Sequence, residues 1–210
     1  VPPTLTWRTF LAGAMRPAWL FDFLTTPPPG FATLGGADVL PASSVNLGTA
    51  SASMFDAGVT FNDLAWFREI WSGPIIVKGI QRVDDAVRCA ELGMDGIVVS
   101  NHGGRQLDRA TTPLELLPHI VAAVGDRLEV LFDGGVRSGA DVVAALALGA
   151  RFVLVGRAYL YGLMAGGEDG VQRAFDLLAT DVRRSMQLLG ITSVAELSPT
   201  SNPGLVTFRR

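Results

Sequence analysis

The sequence predicts an α/β protein built on a parallel sheet, and two observations carry that expectation. From Thr60 onward one syntax repeats four times: a helix pattern, a Gly or Pro, a short aliphatic run, and a polar Gly-rich turn. The repeats follow one another at roughly 25 residues, as parallel strands with crossover helices require.

Asn62 to Trp71 reads as the first helix and Pro74 to Lys78 as a buried strand. Val83 to Leu92 is a helix halted by Gly93, and Gly96 to Ser100 is the second strand. Leu114 to Val124 is a helix halted by Gly125, and Glu129 to Phe132 is a strand running into Asp133-Gly134-Gly135. Ala140 to Leu148 is a helix halted by Gly149, and Phe152 to Val155 is a strand running into Gly156-Arg157. Glycine in these stop positions suits the left-handed cap that ends many helices. Gly170 to Leu189 sets Val171, Ala174, Leu177, Leu178, Val182 and Leu189 near one face and reads as a closing helix. The tail after Ile191, with Pro199 and Pro203 among Ser and Thr, is expected to be extended or poorly ordered.

Residues 1 to 59 have another texture, with Pro27-Pro28-Pro29 and a run of small residues from Ala42 to Ser53. So long a connection is expected to be a lid, a binding loop or disorder. Trp7, Phe10, Trp19, Phe21 and Phe23 could lie against a membrane or a partner, or cover the outside of a barrel. The second is favoured, because Arg8, Arg16 and Asp22 do not make a strongly basic polar face. The expected organisation is a loop and helical segment over 1–59, a sheet region over 60–190 and a tail over 191–210.

Composition narrows the function classes. With 49% hydrophobic and 18% charged residues, much of the chain should be interior. A net charge of −3 with scattered basic residues argues against nucleic acid as a partner. Cys89 is alone, in a helical pattern, so neither a disulfide scaffold nor a zinc spacing is present, and an intracellular setting fits. No apolar run reaches the roughly 20 residues that span a bilayer, and the N-terminus lacks the order of a signal peptide. Val1-Pro2-Pro3 opens the chain without Met, which favours a fragment.

The chemistry sits at the strand ends, where parallel α/β folds gather their ligands. After the second strand, Ser100-Asn101-His102-Gly103-Gly104-Arg105-Gln106-Leu107-Asp108 sets a His and an Arg three residues apart beside two glycines. An imidazole moves protons near neutral pH, and a guanidinium grips a carboxylate through two parallel hydrogen bonds. That pair suits chemistry on a small organic acid; the bland alternative is a polar turn with His102 satisfied by backbone and Arg105 in water. Lys78 closes an apolar strand, where a charge needs an anion, an electron-rich ligand or an ordinary ion-pair partner. Asp133-Gly134-Gly135-Val136-Arg137-Ser138-Gly139 and Gly156-Arg157 look like a phosphate grip, with glycine backbone and a helix N-terminus facing an anion.

Lys78 with SNHGGRQLD, DGGVRSGAD and LVGRAYLYG resembles the FMN-dependent 2-hydroxy-acid oxidoreductases over about residues 54 to 200. That family includes glycolate oxidase, flavocytochrome b2, mandelate dehydrogenase and bacterial L-lactate dehydrogenases. GRAYLYGLMAGGE and MQLLG look most like its actinobacterial L-lactate dehydrogenase branch. The resemblance implies a TIM (β/α)8 barrel, of which this chain holds a C-terminal half-barrel of about four βα units. It also implies FMN as cofactor, a small (S)-2-hydroxy acid such as L-lactate as substrate, and a quinone, a cytochrome or oxygen as electron acceptor. His102 would be the acid/base, Arg105 the substrate carboxylate's partner, and Lys78 the residue beside the flavin ring. Ser100 would touch the ring or ribityl region and Asp133 the ribityl hydroxyls. Gly134, Gly135, Val136, Arg137, Gly156 and Arg157 would surround the phosphate. The family habit implies a homotetramer at full length and a cytoplasmic setting, with peripheral contact at the inner membrane face as the alternative.

Four strands fall short of the family's eight. The other half normally brings tyrosines, an Asp that orients the His, and a second Arg, none of which has a matching position here. A half-barrel alone would expose strand edges and an apolar face, so weak FMN binding and little turnover are expected of this polypeptide by itself. A thiol-using phosphate-binding barrel enzyme is disfavoured by the mid-helix place of Cys89. A noncatalytic module is disfavoured by the presence of His102, Arg105 and Lys78.

Overall fold

The computed structural model describes residues 6–26 and 56–208, and the expectations for Pro27-Pro28-Pro29 and for the small-residue run Ala42 to Ser53 lie outside them. The chain divides into two compact units, Val1–Val59 and Thr60–Arg210.

In the first unit, helices α1 (Trp7–Ala14) and α2 (Pro17–Thr25) follow each other. Thr6 caps α1, and Pro17 opens α2 where the missing N–H has no helical partner to lose. Gly13 is required by packing: a Cβ there would lie 2.4 Å from the Trp19 ring, which also stacks on Phe23 at 5.0 Å.

The second unit runs α3 (Phe61–Ile70), β1 (Ile76–Ile80), α4 (Val83–Glu91), β2 (Gly96–Val99), α5 (Pro113–Val124), β3 (Glu129–Phe132), α6 (Gly139–Ala147), β4 (Phe152–Val153) and α7 (Arg157–Leu189). The four strands are parallel and lie in the order β1-β2-β3-β4. A doubly wound sheet reverses direction at a switch point, whereas this order advances strand by strand as a barrel wall does.

Alternation along the strands sorts their side chains. Ile97, Val99, Val130 and Phe132 pack with Ala86 and Cys89 of α4 and Leu117, Ile120 and Val124 of α5, all buried. The register Lys78↔Val98↔Leu131↔Phe152 puts the intervening positions on the opposite face, where Phe152 at one edge is 61% exposed.

Four sequence expectations shift. The first strand lies over Ile76–Ile80 instead of Pro74 to Lys78. Pro74 has no N–H to give, and the Ile75 N–H is taken by the Asp95 carboxylate at 2.7 Å, so pairing with β2 begins at Ile76. Lys78 therefore sits inside the strand, just before an irregularity at Gly79, whose φ is 98°. The last helix starts at Arg157 instead of Gly170 and breaks at Gly166 and Gly167.

Gly93, Gly149 and Gly190 are left-handed, but Gly125 is right-handed at φ −66°. Finally, the expected loose tail is packed. Ile191 and Leu197 are buried against Val143, and Glu196 accepts the backbone N–H of Ser193 at 2.8 Å.

Candidate active site

The strand tips converge. Ser100, 1% exposed, lies just beyond β2, and its Oγ accepts the Lys78 ammonium from β1 at 2.9 Å and the His102 backbone N–H at 3.0 Å. Asp133, just beyond β3, is held by its own N–H donating to the Val99 carbonyl at 3.1 Å. Its Oδ2 lies 2.5 Å from Lys78 Nζ. Lys78 thus does have an ion-pair partner, as the bland reading required, but the pair stands on the wall of a cleft. The other carboxylate oxygen, Asp133 Oδ1, is buried with no hydrogen-bond partner.

His102 adopts φ 56°, a conformation that costs a non-glycine residue about 1 kcal/mol or more. Gly103 and Gly104 follow at φ 67° and 72°, and the Asn101 carboxamide oxygen accepts the Gly104 N–H at 3.2 Å. The Arg157 guanidinium donates to the Gly103 carbonyl at 3.0 Å, tying the turn after β2 to the turn after β4.

After β3 the chain turns through Gly134 and Gly135 at φ 105° and 84°, conformations that L side chains rarely adopt. A Cβ on Gly135 would meet nothing within 4 Å, so the space over it is open to a ligand. Among the described residues, the amides of Gly134, Gly135 and Gly156 have no protein acceptor. The N-terminus of α6 is different. Asp141 Oδ2 accepts the N–H groups of Arg137 and Ser138, both at 2.9 Å, and Asp181 Oδ2 accepts that of Gly139 at 2.7 Å. Two carboxylates therefore occupy the amides of Arg137, Ser138 and Gly139 and offset the dipole that the sequence suggested for an anion. The donors left free around the cleft, among the described residues, are the glycine turns, the Arg137 guanidinium and, at this helix end, the Ala140 N–H.

A cleft of about 1140 Å³ takes in Lys78, His102, Arg105, Asp133, Gly134, Gly135, Val136, Arg137, Gly156 and Arg157. The structure brings together on one rim ten of the eleven residues singled out from the sequence. Ser100 lies beneath the rim, bonded to two of its members. Val136 is 7% exposed with its side chain in the main core, so its backbone is what the cleft meets. Tyr161, Arg173, Asp181 and Arg184 also line the cleft and were missed. Asp141 was missed too, although Ser138-x-x-Asp141 is a legible capping pattern. Asp181 had no local signal, standing 42 residues from the amide it holds.

A parallel sheet of barrel type carrying a cation, a carboxylate with one buried oxygen and two glycine turns at its strand ends has the character of an α/β protein that takes an anionic, hydroxyl-bearing ligand. The profile of the FMN-dependent dehydrogenase family matches residues 1–202, and the chain belongs to that family. A Mycobacterium tuberculosis protein provisionally named L-lactate dehydrogenase is 54% identical over 199 residues, covering 95% of this chain and 47% of the relative. The L-lactate dehydrogenase of Caulobacter vibrioides is 46% identical over 207 residues, covering 94% of this chain and 52% of the relative. Among solved structures, the monotopic membrane protein (S)-mandelate dehydrogenase superposes with a TM-score of 0.86 at 39% identity, over 96% of this chain and 53% of that one. The chain thus spans about half the length of the curated relatives it matches.

The residues present fit FMN. Its ribityl hydroxyls would offer donors to the unpartnered Asp133 Oδ1, and its phosphate would offer acceptors to the free glycine amides and to Arg137 and Arg157. The volume, about 1140 Å³, lies just above the range usual for small-molecule and cofactor sites, roughly 300–1000 Å³.

Proposed function

We propose that this chain supplies the cofactor and substrate-carboxylate side of an enzyme oxidising a (S)-2-hydroxy acid, with L-lactate to pyruvate the leading reaction. The observation that carries this reading is the shared rim of Lys78, Asp133, His102 and Arg105, with the glycine turns beside them. Lys78 and Asp133 would hold the ring and ribityl chain, with Ser100 steadying Lys78 from beneath instead of touching the ligand, and Gly134, Gly135, the Val136 backbone, Arg137, Gly156 and Arg157 would hold the phosphate. FMN supplies a two-electron acceptor that an external quinone, cytochrome or oxygen can reoxidise.

The protein's own share is positioning and proton transfer. Arg105 pairs with the substrate carboxylate through two parallel hydrogen bonds, which fixes the neighbouring carbon. The His102 imidazole removes one proton as the alcohol carbon is oxidised; the substrate loses two protons and two electrons overall. Ser100 holds the His102 backbone in its left-handed conformation from below. The L-lactate preference is supported by the names and identities of the two bacterial relatives, and mandelate is the runner-up on the similarity to mandelate dehydrogenase.

The test is co-expression with the N-terminal half of the mycobacterial relative, followed by assays of lactate, glycolate and mandelate with quinone, cytochrome c or oxygen. His102→Gln should abolish turnover and leave flavin content unchanged. Loss of flavin with turnover preserved would refute the assigned role.

A lipid surface is a second partner in this reading. Trp7, Phe10, Met15, Phe21, Phe23 and Leu24 on α1 and α2 and in the link between them are each more than 60% exposed, and the mandelate dehydrogenase of similar fold is monotopic. No helix among the described residues is long and apolar enough to cross a membrane. Co-sedimentation with phosphatidylglycerol vesicles that is lost on Trp7→Ser and Phe10→Ser replacement would support this contact, and equal recovery of both proteins in the supernatant would reject it.

A further inference from the structure

We infer that Asp181 is a positioning residue for the phosphate end of the cofactor, acting through the Gly139 amide; this rests on the FMN reading above. Asp181 lies in the second half of α7, after the break at Gly166 and Gly167. Its Oδ2 accepts the Gly139 N–H at 2.7 Å, and it lines the same cleft as Arg137, Gly135 and Arg157. The approach is close enough to demand glycine: a Cβ on residue 139 would stand 2.1 Å from the Val182 nitrogen and 2.4 Å from the Asp181 carbonyl carbon. Backbone meets backbone there, which sets the Asp181 carboxylate directly against the start of α6.

Asp141 and Asp181 hold this turn from opposite sides in sequence. Asp141 fixes the amides of Arg137 and Ser138 from within α6, which sets the local shape of the helix start. That bond travels with the helix and cannot locate it in the fold. Asp181 comes from another helix and supplies the external reference. Its loss would leave the Gly139 N–H without its carboxylate and free the turn that carries Gly135 and Arg137 to shift relative to Arg157. The groups facing a phosphate would then be intact but misplaced.

A carboxylate on the wall of an anion site also repels the anion, and the two effects have opposite signs. Asp181→Ala removes both, Asp181→Asn keeps an oxygen acceptor and removes the charge, and Asp181→Glu keeps the charge and displaces the acceptor. Alanine has the highest helix propensity, so Asp181→Ala does not weaken α7 intrinsically. The readout, on the complex co-expressed with the N-terminal half and stripped of flavin, is the dissociation constant for FMN and for riboflavin, which lacks the phosphate, by flavin fluorescence.

Asp181→Ala and Asp181→Glu should each weaken FMN by about 10-fold, as expected for losing a hydrogen bond to a charged group, and leave riboflavin within about twofold. Asp181→Asn should stay within about threefold of the unmodified protein for both ligands. Equal weakening of FMN and riboflavin would reduce Asp181 to a general structural role and overturn the inference. Unchanged or tighter FMN binding by Asp181→Ala would overturn it as well. An unmodified protein binding FMN no better than riboflavin would instead remove the phosphate-site reading and this inference with it.

Discussion

Ser100 Oγ accepts the backbone N–H of His102 at 3.0 Å while it also accepts the Lys78 ammonium at 2.9 Å. One buried hydroxyl therefore sets the distance between a cation on the first strand and the turn that presents the imidazole. Ser100→Ala leaves both donors without that acceptor. Stability should fall by about 1–3 kcal/mol, read from urea unfolding. The catalytic efficiency on lactate should fall by about 100-fold, because small displacements of a reacting group are amplified in the rate. A variant with native stability and native kcat/KM would show that the hydroxyl positions neither group.

Gly149 ends α6 at φ 105°, and a Cβ there would stand 2.7 Å from Val121 Cγ1. Gly149→Ala combines a left-handed backbone with a clash against α5. The expected loss is about 2 kcal/mol or more, seen as a lower unfolding midpoint with an unchanged denaturant slope. Gly190→Ala has the left-handed strain at φ 69° but open space around the added methyl, so its loss should be the smaller of the two.

The Asp95 carboxylate accepts the Ile75 N–H at 2.7 Å and the Arg68 guanidinium at 2.9 Å, and these bonds, the backbone one first, hold its pKa below the ordinary 3.8. Its folded pKa is the lower one, so its contribution is complete above pH 3.8 and disappears as the pH falls through the depressed folded value. Asp63, held by Thr60, and Glu196, held first by Thr192, shift in the same direction. Asp95→Asn should lower stability at pH 7, and the gap to the unmodified protein should close in acid. A gap that stays constant down to pH 2 would exclude titration of Asp95 as its origin.

Cys89 is fully buried, and burial, followed by the nearby Asp85, raises its thiol pKa above 9.0. Labelling by a disulfide reagent at pH 8 should therefore be slow and accelerate sharply in unfolding concentrations of urea. Prompt stoichiometric labelling of the native protein would contradict the packing around α4.

Much of this was legible because the strands are short aliphatic runs and each ends in a polar residue or a glycine turn. Gly96–Val99 and Glu129–Phe132 stand within a residue of where periodicity places them. The first strand slid by two residues because a side chain, Asp95, took the amide that a ladder bond would have used, and no local pattern announces such a bond. Gly125 was misread because it prolongs the right-handed turn of its own helix, its N–H donating to the Val121 carbonyl at 2.8 Å, where a Cβ would lie 2.6 Å from that oxygen. At the site, glycine and charge were visible in the sequence while the supports were not. Asp181 acts across 42 residues, and the packing of Ile191 and Leu197 against Val143 depends on contacts that a Pro- and Ser-rich tail does not advertise.

The Arg68 guanidinium gathers the carbonyls of Trp71, Gly73 and Gly93 and the Asp95 side chain at the ends where β1 and β2 begin. The groups for chemistry stand where those strands finish. A fastening at the floor and a reactive rim overhead divide the sheet into two territories. Substitutions below can trade firmness without touching selectivity, whereas above, the buried Ser100 hydroxyl ties firmness to the reaction, and only the exposed rim can be retuned without loosening the foundation.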